Sequence, residues 1–318
     1  MGRNLIRVLR ERGAETRALA RSDQAADMVG RAGAEAVRGD LDDVTALRSG
    51  ISGCDVVFHA AARQGDVGSY DDFYRANVAG TENVIAAARA SQVPRLVHVS
   101  TEAVLAGGGP IVNVDETRPR PAHPRGLYPI SKGLAEERVL AANSPELTTV
   151  VVRPRLVWGK GDTIHLPRLV ESARRGAFLW INHGRYLTST CHVTNLCEGL
   201  MLAAERAGGG RIYFLTDGAP IEYREFIGAL LGTVGVEPGN RSIPGWAARS
   251  GAWAGEVVWR WLRLEGAPPL TFTAVTLLGE EVTVIDEKAR RELGYRAIVT
   301  REEGLSAMAV PQPLPTSM

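Results

Sequence analysis

Cysteine is scarce in this chain. The three cysteines among 318 residues, Cys54, Cys191 and Cys197, fit neither a C-x-x-C pair nor the spacing of zinc ligands, so no metal or redox site is expected from them. They read as small buried apolar residues, and a reducing cytoplasm is the natural compartment. Charge of either sign is also not in excess: 37 Lys+Arg against 36 Asp+Glu leave a net +1, which gives no reason to expect nucleic acid or an acidic partner. Long apolar runs are missing as well, so no transmembrane span is expected, and the first residues have no signal-peptide core. No repeat is found beyond an alternation of strand-like and helix-like segments. With 45% hydrophobic and 23% charged residues, the chain can bury a sizeable core.

One stretch, from Arg95 to Ala142, organises the rest. Leu96-Val97-His98-Val99 is an apolar run that reads as a buried strand ending in Ser100-Thr101. Further on comes Tyr128-Pro129-Ile130-Ser131-Lys132, followed by the helix-forming run Gly133 to Leu140. Proline is tolerated only in the first turn of a helix, so Pro129 sets the helix start near Leu127 or Tyr128. Tyr128 and Lys132 then share one helical face. A cation beside a phenol favours the phenolate and brings tyrosine into the range of proton transfer at neutral pH. A hydroxyl at the end of the neighbouring strand, Thr101, could hold a substrate oxygen beside it. Such a trio would move a proton on or off an alcohol or carbonyl while a cofactor moves the hydride.

Val99 to Gly107, the Asp115-Glu116-Thr117 and Pro119 stretch, Tyr128-Pro129-Ile130-Ser131-Lys132 and Arg153-Pro154 resemble the 3β-hydroxysteroid dehydrogenase branch of the extended short-chain dehydrogenases. The likeness runs from Gly2 to about Leu305. It implies Tyr128 as general acid/base, Lys132 as the residue that tunes it and holds the nicotinamide ribose, and Thr101 as the substrate-orienting hydroxyl, with Ser100 beside it. It also implies an apolar, sterol- or steroid-like substrate and, as relatives often do, a homodimer. No residue is assigned an isomerase step.

Taken in order, Asn4 to Arg12 reads as a helix stopped at Gly13. In the family a strand and a Gly-x-x-Gly-x-x-Gly turn precede such a helix and receive the pyrophosphate. By that likeness Gly2 resembles the last of the three glycines, and the strand with the first two is not in the sequence, through a late start, truncation or degeneration. Thr16 to Ala20 is the next strand, followed by a helix with Asp23 as N-cap. Its end carries Ala20, Arg21 and Ser22 and no carboxylate to take ribose hydroxyls, which tilts the choice between NAD and NADP toward NADP, with Arg21 on the 2′-phosphate. Ala34 to Arg38 is a short strand. Asp40 and Leu41 either form the family's adenine-contacting turn or Asp40 caps a helix from Asp43 to Ser49. Asp55 to Ala62 is a buried strand whose small Ala60 and Ala61 allow close approach of a cofactor, and His59 in it packs or hydrogen-bonds. Tyr70 to Ala90 reads as one long helix, and its Asn77 to Val84 run resembles a family signature, which implies that Asn77 braces the active-site strand and helix and borders the cofactor. Thr148 to Pro154 is a further strand, with Arg153 and Pro154 beside the nicotinamide.

The alternation predicts an α/β fold, a Rossmann-like doubly wound parallel sheet with ligands at the carboxyl ends of its strands. Residues 1–157 form the NAD(P)-binding domain. Residues 158–310 form mostly a smaller mixed α/β substrate-binding region, with segments near 187–215 returning to the core domain, and residues 311–318 are a disordered tail. In that region His192 and Asn195 read as structural hydrogen-bonders, and Asp286 to Gly294 as the last capped helix. Trp246, Trp253, Trp259 and Trp261, interspersed with Arg249, Arg260 and Arg263, read either as a helix with its aromatics in the core or as a surface for peripheral membrane contact. Two rivals stay open. A nucleotide-sugar epimerase or dehydratase would clamp a diphosphate with Arg168, Arg174, Arg175 and Arg185. A non-catalytic scaffold or sensor would have lost its phosphate loop.

Overall fold

A computed structural model of the chain describes residues 1–309 apart from Asp66, Gly108, Arg263, residues 265–267 and Pro269, and only the backbone of Arg260. The expectations for the proline-rich tail and for Arg263 lie outside the described residues.

Near-continuous burial marks the strands of the central sheet. The parallel strands of the dinucleotide-type half are β1 (Arg17–Ala20), β2 (Glu35–Arg38), β3 (Val57–His59), β4 (Arg95–Val99) and β5 (Thr148–Pro154), and β6 (Arg211–Leu215) joins the last three. Strands β6, β5, β4 and β3 lie side by side in that order, all parallel. Val97, Val99, Val150 and Val152 face one layer, with Leu196, Leu200 and Leu293. Leu96 and Val151 face the other, with Leu47, Val84 and Val139. Both faces are therefore covered, as a parallel sheet requires, and the fold is Rossmann-like and doubly wound. Strands β1 and β2 form their own parallel pair, and among the described residues no ladder joins them to β3.

The helices are α1 (Gly2–Glu11), α2 (Asp23–Arg31), α3 (Val44–Ile51), α4 (Gly80–Ala90), α5 (Leu127–Ala141), α6 (His165–Arg174), α7 (Val193–Arg206), α8 (Tyr223–Gly232), α9 (Gly245–Trp261), α10 (Phe272–Leu278), α11 (Glu287–Leu293) and α12 (Arg301–Met308). Leu5 of α1 and buried residues of α7 and α11 belong to the first layer, Leu47 and Ile51 of α3, Val84, Ile85, Ala87 and Ala88 of α4 and Val139 of α5 to the second, and Ile6 of α1 packs with Ala20, Val29 and Ala34 at the β1–β2 pair.

Several local expectations are corrected. Ser22 rather than Asp23 caps α2, its Oγ accepting from the Ala25 amide at 3.2 Å. Asp43 rather than Asp40 caps α3, accepting from Ala46 at 2.9 Å, while Asp40 accepts from the adjacent Leu41 amide at 2.8 Å. The expected single helix over 70–90 contains a π-helical stretch, Tyr74–Ala79, that widens the coil where Asn77 points inward. Helix α11 is not the last, because α12 follows with a Thr300–Glu303 capping box. In α9 the core contacts come from Ala248 and Ala252, which pack against Ile181 and Val275. Trp246, Trp253 and Trp261 lie 73%, 65% and 81% exposed. Small residues four apart make the contact face, and these three tryptophans turn outward, whereas Trp259 is half-buried with its indole nitrogen enclosed.

The seating of α7 on the sheet depends on Gly199, where an added Cβ would come within 2.3 Å of the buried Leu215 side chain. Gly199→Ala is expected to cost about 1–3 kcal/mol through overpacking, read from urea unfolding curves.

Candidate active site

Helix α5 begins directly after Gly126, which takes a φ of +89° that other residues resist and where a Cβ would strike Thr273 and Pro129. Pro129 falls in the first turn, and Tyr128 enters the wall of a cavity of about 1730 Å³. The phenol shares this wall with Thr101 at the end of β4, whose nearby hydroxyl acts to lower its pKa. The Thr101 oxygen accepts from the Ala103 amide at 3.2 Å and donates its own proton to Glu102 Oε2 at 2.8 Å. Burial, and then the negative charge of Glu102, push the phenol well above its ordinary value.

Lys132 does not reach toward the phenol. Its Nζ donates to the Val99 carbonyl at 2.7 Å and meets His98 Nε2 at 3.0 Å. The expectation that it tunes Tyr128 directly is therefore not what this arrangement shows. A buried ammonium takes the better acceptors, a carbonyl and an imidazole at the strand end, over a phenol. Burial pulls Lys132 down to about 7, opposed by the nearby Glu136 carboxylate. His98 Nδ1 is buried without a hydrogen-bond partner.

The ends of the strands are tied to α5 by Glu136. Its Oε2 accepts from Ser100 Oγ at 2.7 Å and from Arg153 Nε at 2.9 Å, with a second contact from Arg153 to Oε1. Arg153 is thereby turned into the core over the Phe214 ring and does not line the cavity, whereas Pro154 does. Arg155 lines it instead, donating to Glu102 Oε1 at 2.8 Å. Asn77 accepts from the Arg63 amide at 2.7 Å and donates to the Arg63 carbonyl and to Ser131 Oγ, bracing the loop after β3 against α5 without lining the cavity. His59 Nε2 meets Thr81 Oγ1 at 2.8 Å, and burial holds its ring at about 3 and neutral. His192 and Asn195 make hydrogen bonds to backbone amides, Asn195 also to Asp217 and the Val299 carbonyl.

Of the residues expected around a cofactor, Gly2, Leu41, Ala60, Ala61, Ser100, Tyr128, Lys132 and Pro154 line this cavity, and Arg21, Asp40, Asn77 and Arg153 do not. Arg21 lies at the surface, 3.9 Å from Asp40. A dinucleotide fits what is present: the carboxyl ends of β3, β4 and β5 open onto one cavity, Ala60 to Ala62 add no bulk there, and Lys132 supplies a buried donor. The far end is lined by Phe178, Trp180, Tyr186, Tyr223, Leu277 and Leu278. Of the arginines that a diphosphate clamp would use, Arg168 lines the cavity, while Arg174, Arg175 and Arg185 do not. Glu102, Glu136, Arg155 and His98 were missed in the sequence. For His98 and Glu102 the signal was a polar group in or beside an apolar run, while Glu136 and Arg155, each close to other charges, carried none.

The model of the 3-beta hydroxysteroid dehydrogenase/isomerase family matches residues 1–244. The 4-hydroxy-2-methyl-3-oxo-4-farnesyl-3,4-dihydroquinoline-1-oxide ketoreductase of Stigmatella aurantiaca is 52% identical over 308 residues, spanning 97% of this chain and 92% of its own. The 2-alkyl-3-oxoalkanoate reductase of Stenotrophomonas maltophilia is 40% identical, spanning 96% and 94%. Among solved structures, a short-chain dehydrogenase/reductase superfamily protein from Agrobacterium tumefaciens with bound NAD shares the fold at a TM-score of 0.70 and 21% identity, over 97% of this chain and 92% of its own.

Lys132 gives the site a stability signature. Below about 7 both folded and unfolded chains carry its proton and the fold bears the full penalty of a buried charge; toward the 10.5 of an exposed lysine only the unfolded chain stays protonated. Urea midpoints are therefore expected to rise with pH across that window, and Lys132→Met to flatten the rise.

Proposed function

This chain belongs to the 3-beta hydroxysteroid dehydrogenase/isomerase family and is a dehydrogenase/reductase of the extended short-chain type, and from that premise we propose that it interconverts a secondary alcohol and a ketone on an apolar, ring-bearing substrate. The observation that carries this reading is the placing of Tyr128, Thr101 and Lys132 together on the wall of a cavity whose far end is aromatic and aliphatic. An aromatic and aliphatic wall suits a sterol-sized or prenylated ring system and offers few partners to a nucleotide sugar. The one arginine of the expected clamp at the cavity, Arg168, points the same way.

In reduction, Tyr128 gives its phenolic proton to the carbonyl oxygen as hydride reaches the carbon, and Thr101 fixes that oxygen beside the phenol. In oxidation the phenolate takes the proton back. Lys132, lodged on the strand end, would hold the ribose of the cofactor, with Ala60, Ala61 and Pro154 as its close walls. A nicotinamide dinucleotide supplies or accepts the hydride when bound, a reading supported by the NAD in the structural relative and by the names of the sequence relatives. NADP(H) is the preferred form, because the end of β1 carries Ala20, Arg21 and Ser22 with no carboxylate to take ribose hydroxyls, and the Arg21 guanidinium is 80% exposed. No helix among the described residues is long and apolar enough to cross a membrane. The exposed tryptophan face of α9 supports peripheral contact with a bilayer, where an apolar substrate would dissolve.

A fluorescence titration of the chain with NADPH and NADH, followed by a screen of ring ketones that includes a 3-ketosteroid and a farnesylated quinolone, tests the reading. Tighter saturation by NADPH and turnover of a ring ketone are expected. Tyr128→Phe should lower kcat by about 10²–10⁴ while cofactor affinity stays near its original value. Turnover of a UDP-sugar with none of any ring ketone would reverse the assignment.

A further inference from the structure

Glu102 stands where the reaction described above has no use for a carboxylate. It is 3% exposed, opens the short 3-10 turn Glu102–Leu105 after β4, and lines the cavity. One oxygen takes the Thr101 hydroxyl proton at 2.8 Å, and the other takes Arg155 at 2.8 Å. Arg155 is anchored in turn by Thr188 Oγ1 at 3.3 Å and the Leu277 carbonyl at 2.5 Å. A threonine hydroxyl has one proton. With that proton committed to Glu102 and one lone pair to the Ala103 amide, what remains on the Thr101 oxygen is an acceptor, and the group beside it is the Tyr128 phenol.

We propose that Glu102 is a positioning residue: its carboxylate fixes the Thr101 hydroxyl, turns the Thr101 oxygen to receive the Tyr128 O–H, and keeps a negative charge beside the phenol, so that the site is loaded as a proton donor. It rests on Tyr128 as the proton carrier. The consequence is a direction for the chemistry. Tyr128 is protonated and ready to complete ketone reduction across neutral pH, and it serves as the base for alcohol oxidation only in alkaline solution. The titratable and charged groups around the phenol are Glu102, Arg155 from beyond β5, Lys132 and His98 deeper in the wall, and His165 of α6 lining the same cavity. Lys132 is turned to the Val99 carbonyl, so Glu102 is the charge nearest in influence, and its effect adds to that of burial.

The test compares the full-length wild type with Glu102→Gln and with the double variant Glu102→Leu/Arg155→Met, which removes both charges and leaves no buried ion unpaired. On the ketone–alcohol pair that turns over in the screen, the alkaline limb of oxidation is expected to move down by about one pH unit in each folded variant, raising oxidation below the limb about tenfold. Turnover persists, since Glu102 does not touch the reacting atoms. A second readout needs no substrate: tyrosine-ring NMR, with the Tyr128 signal assigned by Tyr128→Phe, should begin to shift at lower pH in the variants than in the wild type. Identical onsets, an unmoved oxidation limb, or loss of turnover in a folded variant that still binds cofactor would each overturn the proposal. Failure of the wild type to turn over any ring ketone would count against the functional reading and leave the NMR comparison to decide the role of Glu102.

Discussion

The site depends on the buried carboxylate of Glu136. Four residues after Lys132 on α5, it accepts from Ser100 at the end of β4 and from Arg153 at the end of β5, so one side chain ties the helix to two strand ends. A charge this deeply buried is costly unless all its acceptor positions are used, and here two donors on Arg153 and a hydroxyl use them. The geometry of Tyr128 and Lys132 follows, because both ride on the helix so fixed. The price is one orphan atom: Arg153 Nη1 has no partner among the described residues.

Burial then sets the protonation of the two groups in opposite directions. The phenol of Tyr128 is pushed up and the ammonium of Lys132 is pulled down to about 7, each toward its neutral form. Two ionisable groups four residues apart thus come to different chemical tasks through what surrounds them. Tyr128 faces a cavity, a hydroxyl and a carboxylate, while Lys132 faces a carbonyl and an imidazole.

The second half of the chain supplies the walls. Strand β6 adds to the edge of the sheet beside β5, while α8, α10 and the segment around Trp180 close the apolar end of the cavity. The Glu102–Arg155 pair joins these parts, since Arg155 also holds the Leu277 carbonyl on α10. A carboxylate beside the Thr101 hydroxyl is thereby fixed by the same contact that seats part of the apolar cavity wall.

What the sequence determined was local. Alternating apolar runs gave the doubly wound sheet, because burial on both faces of a parallel strand leaves a continuous apolar signature in Val97, Val99, Val150 and Val152. Pro129 set the start of α5, because a proline ring allows only the first turn, and the four-residue step from Tyr128 to Lys132 put both on one face. Tertiary structure decided what those residues meet. Whether Lys132 turns to a phenol or to a strand carbonyl, and whether Arg153 or Arg155 borders the cavity, is set by partners far away in the chain: Glu102 and Arg155 are 53 positions apart. The same holds for α9, where periodicity offered two faces and only the packing of Ala248 and Ala252 against Val275 chose the one that left tryptophan in solvent. Periodicity, capping and proline act within a few residues and leave a trace in the sequence. Buried ion pairs form only when the sheet brings distant segments together, so their membership is a property of the fold.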